Sequence, residues 1–220
     1  MPKLQDHLLG RLLGRDFDGD THDSFTPADR QSVHILSGRV YSVSTCQVFY
    51  TTYDIQRQTD TINPKSCSDI MVHAPPPDNA TQYEPYWYAQ VLGIYHAKVS
   101  CSHQGVANGN ELRRMDFLWV RWFGVEPGYR HGFRQARLPK IGFVPSSDED
   151  AFGFLDPRHV IRACHLIPAF SCGRTNELLP VTKTDARRLR YGQTKAESED
   201  WTNFYVNLWV YAFGALAEIV

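Results

Sequence analysis

The sequence lacks the phrases that mark the commonest enzyme and membrane classes. It contains no P-loop, no G-x-G-x-x-G and no G-x-S-x-G, which are the motifs that bind nucleotide phosphates or present a serine nucleophile. No uninterrupted apolar run approaches the roughly 20 residues of a membrane-spanning helix. The five cysteines are odd in number and form no C-x-x-C pair, which disfavours a secreted disulfide framework. We therefore expect an intracellular protein, nuclear or cytoplasmic, in which no catalytic class is recognisable.

Net charge is also close to absent. The 23 Lys and Arg residues nearly balance the 24 Asp and Glu residues, which leaves a formal charge of −1. Binding to nucleic acid or to an anionic membrane would therefore need a local basic patch, because the whole chain exerts no such attraction. The 220 residues can bury a sizeable core. An aromatic content of 13%, with 13 prolines and 15 glycines, favours strands and turns over helices.

Two aromatic strands dominate the middle of the chain. They are YWYAQVLGIYHAKV (86–99) and MDFLWVRWF (115–123), and a polar interval rich in Gly and Asn separates them. We predict that they form a long hairpin at the centre of the fold. Alternation from Trp87 to Val99 places the odd-numbered residues on one face and Tyr88, Leu92 and Ile94 on the other. Both faces are largely apolar, so we expect this strand to be covered on two sides.

The remaining pattern predicts a mainly β (α+β) fold, a small and partly open β-barrel. Residues 1–32 are predicted as an N-terminal helical extension, 33–175 as the barrel domain, and 176–220 as a polar linker with an apolar C-terminal segment. Within the barrel, Ser37-Gly38 is predicted as a tight turn between two strands and 54–68 as a loop. Residues 182–200 are expected to be weakly ordered. The segment from Trp201 is expected to be an edge or closing strand, with a tail anchor as the alternative.

Several longer phrases carry a resemblance to a known family. They are GRDFDGDTHDSF (14–25), VFYTTYDIQRQTDTINPKSCSDIMV (48–72), EPYWYAQVLGIYHAKV (84–99), MDFLWVRWFG (115–124) and GFVPSSDEDAFGFLDPRHVIRACHLIPAFSCGRT (142–175). In the residues of these segments and in their order, the chain resembles the C-terminal region of uncharacterised proteins derived from Plavaka-like DNA transposons of basidiomycete fungi. The resemblance extends from about Leu4 to Val210. In those proteins, the C-terminal region has no assigned activity to carry over. The resemblance implies a degenerate or truncated copy without the upstream transposase core.

A fainter resemblance concerns the fold alone. The strand that ends in VRWF (120–123) is similar to strands of a β-barrel module in plant transposon proteins and of bromo-adjacent-homology chromatin readers. This likeness implies an SH3-like or bromo-adjacent-homology barrel. It implies no function, because one fold hosts many functions.

A basic and aromatic region provides the preferred functional hypothesis. From residue 111 to residue 140 there are seven basic residues against three acidic ones, interleaved with aromatic rings. Arginines beside exposed rings suit phosphate contact and base stacking. We therefore expect a non-catalytic module whose partner is DNA or chromatin. The candidate nucleic-acid-binding residues are Arg113, Arg114, Tyr129, Arg130, Phe133, Arg134, Arg137 and Lys140. Arg121 is instead expected to be paired internally.

The sequence also contains candidate residues for two other kinds of site. Tyr86, Tyr88 and Trp122 are the candidate residues of an aromatic cage for a methylated lysine, whose cation is attracted to ring faces. Because alternation places Trp87 opposite the two tyrosines, only part of this group is expected to converge. The most compact Cys and His set, with the spacing H-x4-C-H-x6-C, resembles no zinc motif, and we predict neither a metal nor another cofactor. That set is His159, Cys164, His165 and Cys172.

The sequence leaves two rival functions open. One is an enzyme, of a hydrolase-like kind, with a cryptic site built from His96, His159, His165 and an acidic turn. The other is a decayed product with no selected function. The acidic cluster from Asp16 to Asp23 does not match an EF-hand loop, because Gly19 is fourth and Pro27 twelfth when Asp16 is counted as first.

Overall fold

The structure, a computed structural model, describes residues 2–15, 25–52, 55–75, 84–179 and 199–207, except for the side chain of Phe133. The helices are α1 (Pro2–Leu12) and α2 (Pro27–Gln31). The strands are β1 (Val33–Val43), β2 (Cys46–Thr51), β3 (Arg57–Ile62), β4 (Asp69–His73), β5 (Tyr86–Cys101), β6 (Arg113–Val125), β7 (Lys140–Phe143), β8 (Phe152–Leu155), β9 (Val160–Ala163), β10 (Leu166–Pro168), β11 (Arg174–Thr175), β12 (Asp200–Trp201) and β13 (Phe204–Val206). Short 3-10 helices span Phe133–Gln135, Glu149–Ala151, Pro157–His159 and Phe170–Cys172.

Some predictions fall outside these residues. The acidic cluster from Asp16 to Asp23, nearly all of the polar stretch 182–200, and the apolar residues after 207 are not described. In the part of the chain that the structure does describe, no helix is both long and apolar enough to cross a bilayer.

The predicted central hairpin is confirmed, and it organises the whole sheet. Strands β5 and β6 pair antiparallel from Tyr88–Phe123 to Val99–Arg113. The outer edge of β5 pairs with β4 at one end and with β1 at the other. The outer edge of β6 pairs with β8 in its middle and with β7 at its end. The resulting nine-stranded sheet curls into a half-barrel, so the fold is mainly β with a short N-terminal helix, as predicted.

Both faces of the central hairpin are covered, as its apolar character predicted. One face carries a core cluster that includes Val91, Leu118 and Val120. On the other, Tyr88 and Phe123 pack with residues of β7 and β13 in a separate cluster. A third cluster forms where α1 lays its leucines against the far end of the hairpin. Apolar burial on this scale is the main stabilising term of such a sheet.

A bulge at Leu92 changes the predicted alternation of β5. The register shifts between Val91, which is opposite Val120, and Gly93, which is opposite Trp119. One extra residue in a strand exchanges the faces of every residue after it. Val91 and Ile94 therefore share one core, whereas Tyr95 lies against another. The prediction of a single face from Trp87 to Val99 was wrong for this reason.

Two other local predictions were wrong. Ser37 and Gly38 adopt positive φ angles, 55° and 62°, within the single strand β1, where the register against β5 shifts between Ile35 and Val40. They form an irregularity in one strand and not a turn between two. The predicted loop 54–68 contains β3, which pairs with β2 along its whole length. Only Ile62 of β3 is buried, so its polar sequence gives no hydrophobic alternation to detect.

Of the two described C-terminal strands, β13 joins the main sheet, whereas β12 pairs with β11 in a separate two-stranded sheet. Strand β13 pairs with β10 on one side and with β7 on the other, so it closes a gap in the sheet and does not form an edge. Asn203, just before β13, donates a hydrogen bond of 2.7 Å to Glu126 at the end of β6. The sheet that carries the candidate sites is therefore built from both ends of the sequence.

Candidate functional site

A loop between β6 and β7, residues 126–139, carries the most exposed part of the predicted basic region. An isolated antiparallel β-bridge joins the backbones of Gly132 and Arg137, on either side of the short 3-10 helix Phe133–Gln135. Arg130, Arg134 and Arg137 are exposed. Arg130 and Arg134 take part in no hydrogen bond or ion pair with another described residue. Together with Lys140 they give residues 126–140 four positive charges against the single negative charge of Glu126.

Two of these cations flank an aromatic ring. The guanidinium of Arg137 lies 6.0 Å from the centre of the Tyr129 ring, and the ammonium of Lys140 lies 5.8 Å from it. Tyr129 is half-buried, and its ring lies 6.4 Å from that of Tyr205 on β13. Burial opposes the charged form of Lys140, but contacts with Cys172 and Glu126 outweigh it and raise its pKa. We call Tyr129, Arg130, Arg134, Arg137 and Lys140 the basic loop patch; the side chain of Phe133, also predicted here, is outside the described part.

The structure separates Arg113 and Arg114 from this patch. They begin β6, whereas the loop follows its end, and β6 is 13 residues long. At a rise of about 3.3 Å per residue, the two ends are about 40 Å apart along the strand. The predicted set of candidate residues therefore divides into two groups. Arg121, between them, is buried and makes an ion pair of 2.9 Å with Asp200, so its predicted internal pairing is confirmed.

An aromatic cleft opens where β5 and β6 part. The last pair that joins these strands is Tyr88–Phe123; beyond it β5 pairs with β4, and β6 pairs with β7. The cleft has a volume of about 330 Å³, within the usual range of small-ligand sites. Its lining is Tyr86, Trp87, Tyr88, Trp122, Phe123, Gly124, Val125, Val144, Asp148 and Asp150. All three predicted cage residues line it, together with Trp87, because residues from both faces of a strand can border a gap at the strand's end.

The chemistry of this cleft is aromatic and acidic. The rings of Trp87 and Trp122 meet edge to face, with centres 6.1 Å apart and an interplanar angle of 77°. Trp122 is only 5% exposed, and its buried Nε1–H has no hydrogen-bond partner among the described residues. Asp148 and Asp150 come from the turn after β7. Sequence reasoning recognised an acidic turn at 146–150 but did not connect it with the cage residues, because a distance of more than 20 residues from Trp122 gives no local signal.

The four metal candidates are not arranged as a site. No group of three or more His, Cys, Asp or Glu side chains that could hold a metal occurs among the described residues. Cys164 is buried, whereas His165 next to it is exposed. Burial, helped by the charges of Asp69 and Cys67, raises the pKa of the Cys164 thiol well above its ordinary value, which disfavours the thiolate that binds metals. His159 ends one 3-10 helix and Cys172 ends another.

The histidines of the rival enzyme hypothesis lie in different environments. His96 lies opposite Asp116 in the central hairpin, and its ring stacks on Tyr41 with centres 5.2 Å apart. His159 and His165 lie near β9 and β10, and none of the three lines the aromatic cleft.

Comparison with known proteins identifies no relative. No protein-family model, no curated protein and no solved structure matches this chain. The resemblances to transposon-derived proteins and to bromo-adjacent-homology barrels therefore stay predictions from the sequence.

Proposed function

We propose that the chain is a non-catalytic, transposon-derived module that binds nucleic acid through the basic loop patch. The observation that carries this proposal is the position of Arg137 and Lys140 beside the Tyr129 ring, with Arg130 and Arg134 exposed nearby. Cations beside a ring offer one base a stacking surface and its flanking phosphates their counter-charges. DNA is the first probe to use, because the sequence resembles proteins of DNA transposons.

The position of the patch also supports an exposed, extended ligand. Its arginines lie on a loop between two sheet strands, and loops on a rigid scaffold commonly carry binding residues. None of the patch residues lines the aromatic cleft. A flexible single strand can adapt to such an open surface through backbone contacts and one or two stacked bases.

The test is the salt dependence of binding to a fluorescent single-stranded DNA. The variant Arg130→Glu/Arg134→Glu/Arg137→Glu removes three phosphate contacts and reverses their charge. We expect little binding at low salt, whereas the corresponding Gln variant should bind with a slope of log K against log salt that is smaller by about 2, since each contact on single strands contributes about 0.7. Tyr129→Leu should weaken binding by about 1–3 kcal/mol through lost stacking.

A charge-matched control separates this patch from general electrostatics. Arg39, Arg57 and Lys98 are exposed residues of β1, β3 and β5. Changing all three to Glu alters the net charge as much as the loop variant does, and DNA binding should persist. Equal loss in both triple variants, or absence of binding by the unmodified protein at low salt, would contradict the proposal.

A second candidate function is favoured by the aromatic cleft, which suits an organic cation such as a methylated lysine. Methylated ammonium groups bind between ring faces and near carboxylates, and this cleft offers Trp87, Trp122, Asp148 and Asp150. The Nε1–H of Trp122, which has no partner among the described residues, would donate a hydrogen bond to a carbonyl oxygen of a peptide ligand.

The probes for this cleft are tetramethylammonium, a trimethyllysine peptide and the same peptide with unmodified lysine. Tryptophan fluorescence should report saturable binding of the first two. Asp148→Asn/Asp150→Asn should weaken binding several-fold, because Asn retains the shape but not the charge. Glu149→Gln, which lies between these two residues in sequence but outside the cleft lining, is the control and should bind normally. No difference between the methylated and unmodified peptides would refute this candidate.

A further inference from the structure

A second cleft lies at the opposite end of β6 from the basic loop patch, and it gathers arginines from three distant segments. Its volume is about 330 Å³. Arg11 enters from the last turn of α1, Arg113 and Arg114 from the start of β6, and Arg158 from the 3-10 helix that precedes β9. We call this the arginine cleft. Packing of the α1 leucines against the central hairpin holds the first of these residues in position.

One buried carboxylate is shared by two of the arginines. Asp156 is 2% exposed, and it lies 2.7 Å from the Arg11 guanidinium and 2.6 Å from that of Arg158. It also accepts a hydrogen bond from the backbone N–H of Arg158. Burial opposes ionisation of Asp156, but the hydrogen bonds and charges of the two arginines outweigh it and lower its pKa. Asp156 is therefore an anion at neutral pH, and this half of the cleft keeps one excess positive charge.

The other half of the cleft is also incompletely neutralised. Arg114 pairs with Asp116 at 2.9 Å, but both side chains are more than half exposed, so their attraction is weak. Arg113 donates to the backbone oxygen of Ala107 at 2.8 Å. Four guanidinium groups and two carboxylates line the cleft, which leaves an excess of two positive charges.

Arg11 supplies an independent sign that an acceptor is missing. Its Nε–H is buried and has no hydrogen-bond partner among the described residues. Burial, together with the positive charge of Arg158, lowers the pKa of Arg11 despite the presence of Asp156. A buried donor without an acceptor costs free energy, and an anion in the cleft would supply both an acceptor and a counter-charge.

We propose that the arginine cleft binds a phosphate monoester. Such a group carries a charge of about −1.5 to −2 at neutral pH, which matches the excess in the cleft. Its oxygens fit the planar fork of a guanidinium in two parallel hydrogen bonds. Arg113, Arg114 and Arg158 are accessible enough to contact it, whereas Arg11 would donate from the interior. The site is separate from the basic loop patch, and it does not depend on nucleic-acid binding.

Ligand-induced thermal stabilisation of the full chain tests the proposal. Inorganic phosphate and free phosphoserine are titrated at constant ionic strength against sodium chloride. A ligand that binds only the native state raises the melting temperature with a saturable dependence on its concentration. We expect saturation with both phosphates and none with chloride. Stabilisation by phosphoserine but not by inorganic phosphate would indicate that the ester is recognised as well as the phosphate group. Stabilisation by inorganic phosphate but not by phosphoserine would contradict a monoester as the ligand.

Arginine variants test whether phosphate binds in the arginine cleft. Arg113→Gln/Arg114→Gln should weaken binding about tenfold or more, since two charge-assisted contacts are lost. Arg130→Gln/Arg134→Gln removes the same charge from the basic loop patch and should leave phosphate binding unchanged. Arg113→Lys/Arg114→Lys restores the charge without the fork and should recover part of the affinity. The proposal is overturned if chloride stabilises equally, if the loop variant loses binding to the same extent, or if the Lys variant recovers nothing.

Discussion

The ion pair between Arg121 and Asp200 offers the sharpest test of the fold. Arg121 is 1% exposed, and its guanidinium lies 2.9 Å from Asp200 and 3.7 Å from the centre of the Phe143 ring. The pair joins β6 to β12, and therefore the central hairpin to a segment 79 residues later in the chain. A buried guanidinium that loses its carboxylate keeps its desolvation cost without the compensating attraction.

The expected loss of stability follows from this desolvation cost, which a buried guanidinium without its carboxylate still carries. Asp200→Ala should lower the free energy of unfolding by about 3 kcal/mol, the low end of the range for breaking a buried pair, because the Asp200 side chain retains some contact with water. Arg121→Met should cost less, because it fills similar volume and leaves a carboxylate that water can reach. The double variant should be more stable than the sum of the single effects predicts, by about 2 kcal/mol.

Urea denaturation of the unmodified protein, the two single variants and the double variant measures these free energies of unfolding, provided that the m-value stays constant. The reasoning is refuted if Asp200→Ala costs less than about 1 kcal/mol, or if the single effects add. Either result would mean that the guanidinium finds water or another acceptor when Asp200 is removed.

Three further predictions concern pH and packing. The pKa of Asp156 is lowered in the folded state, so its ion pairs stabilise the fold at pH values above the ordinary pKa near 4. This contribution is lost as the pH falls through the folded-state pKa. Asp156→Asn should therefore lose less stability on acidification than the unmodified protein does. The pKa of Cys164 is raised, so stability should fall as the pH rises above about 8.5, where the unfolded thiol ionises and the folded one does not. Cys164→Ala should make this decline shallower, and the remaining slope belongs to Cys46 and Cys67, whose pKa values are also raised by burial. A Cβ on Gly109 would overlap the backbone oxygen of Cys101, whereas a Cβ on Gly10 of α1 meets open space. We expect Gly109→Ala to lower the free energy of unfolding by about 1–3 kcal/mol and Gly10→Ala to raise it by about 0.5–1 kcal/mol. Equal melting temperatures for the two variants would contradict this.

The central hairpin could be predicted because its signal is local. Each strand is long, aromatic and apolar on both faces, and these features hold whatever the strand packs against. The bulge at Leu92 could not be predicted in the same way. A single extra residue leaves the composition unchanged, and it becomes visible only when Val91 and Gly93 are aligned against the partner strand. Strand β3 was predicted as a loop for a different reason, because a mostly exposed strand needs no apolar alternation.

The candidate sites show a similar limit. The aromatic cage residues could be proposed from the predicted hairpin, since Tyr86 and Tyr88 lie on its first strand and Trp122 on its second. The carboxylates that complete the cleft, Asp148 and Asp150, reach it only through the pairing of β6 with β7. Of the arginine cleft, the sequence indicated only Arg113 and Arg114, and it indicated them as part of the basic region. The other two members gave no local signal, because Arg11 lies about a hundred residues before them and Arg158 lies more than 40 residues after them.

The basic excess of residues 111–140 shows why a charge count along a sequence does not define a surface. Counted in order, its seven basic residues form one region. In the fold, β6 separates Arg113 and Arg114 from the loop that carries Arg130 and Arg137 by about 40 Å along the strand. Screening at physiological ionic strength acts over about 8 Å, so the two groups do not act on a ligand as one field. Each group has instead its own local balance of carboxylates and rings, and that balance is why we propose an extended polyanion as the ligand of the loop and a compact dianion as the ligand of the arginine cleft.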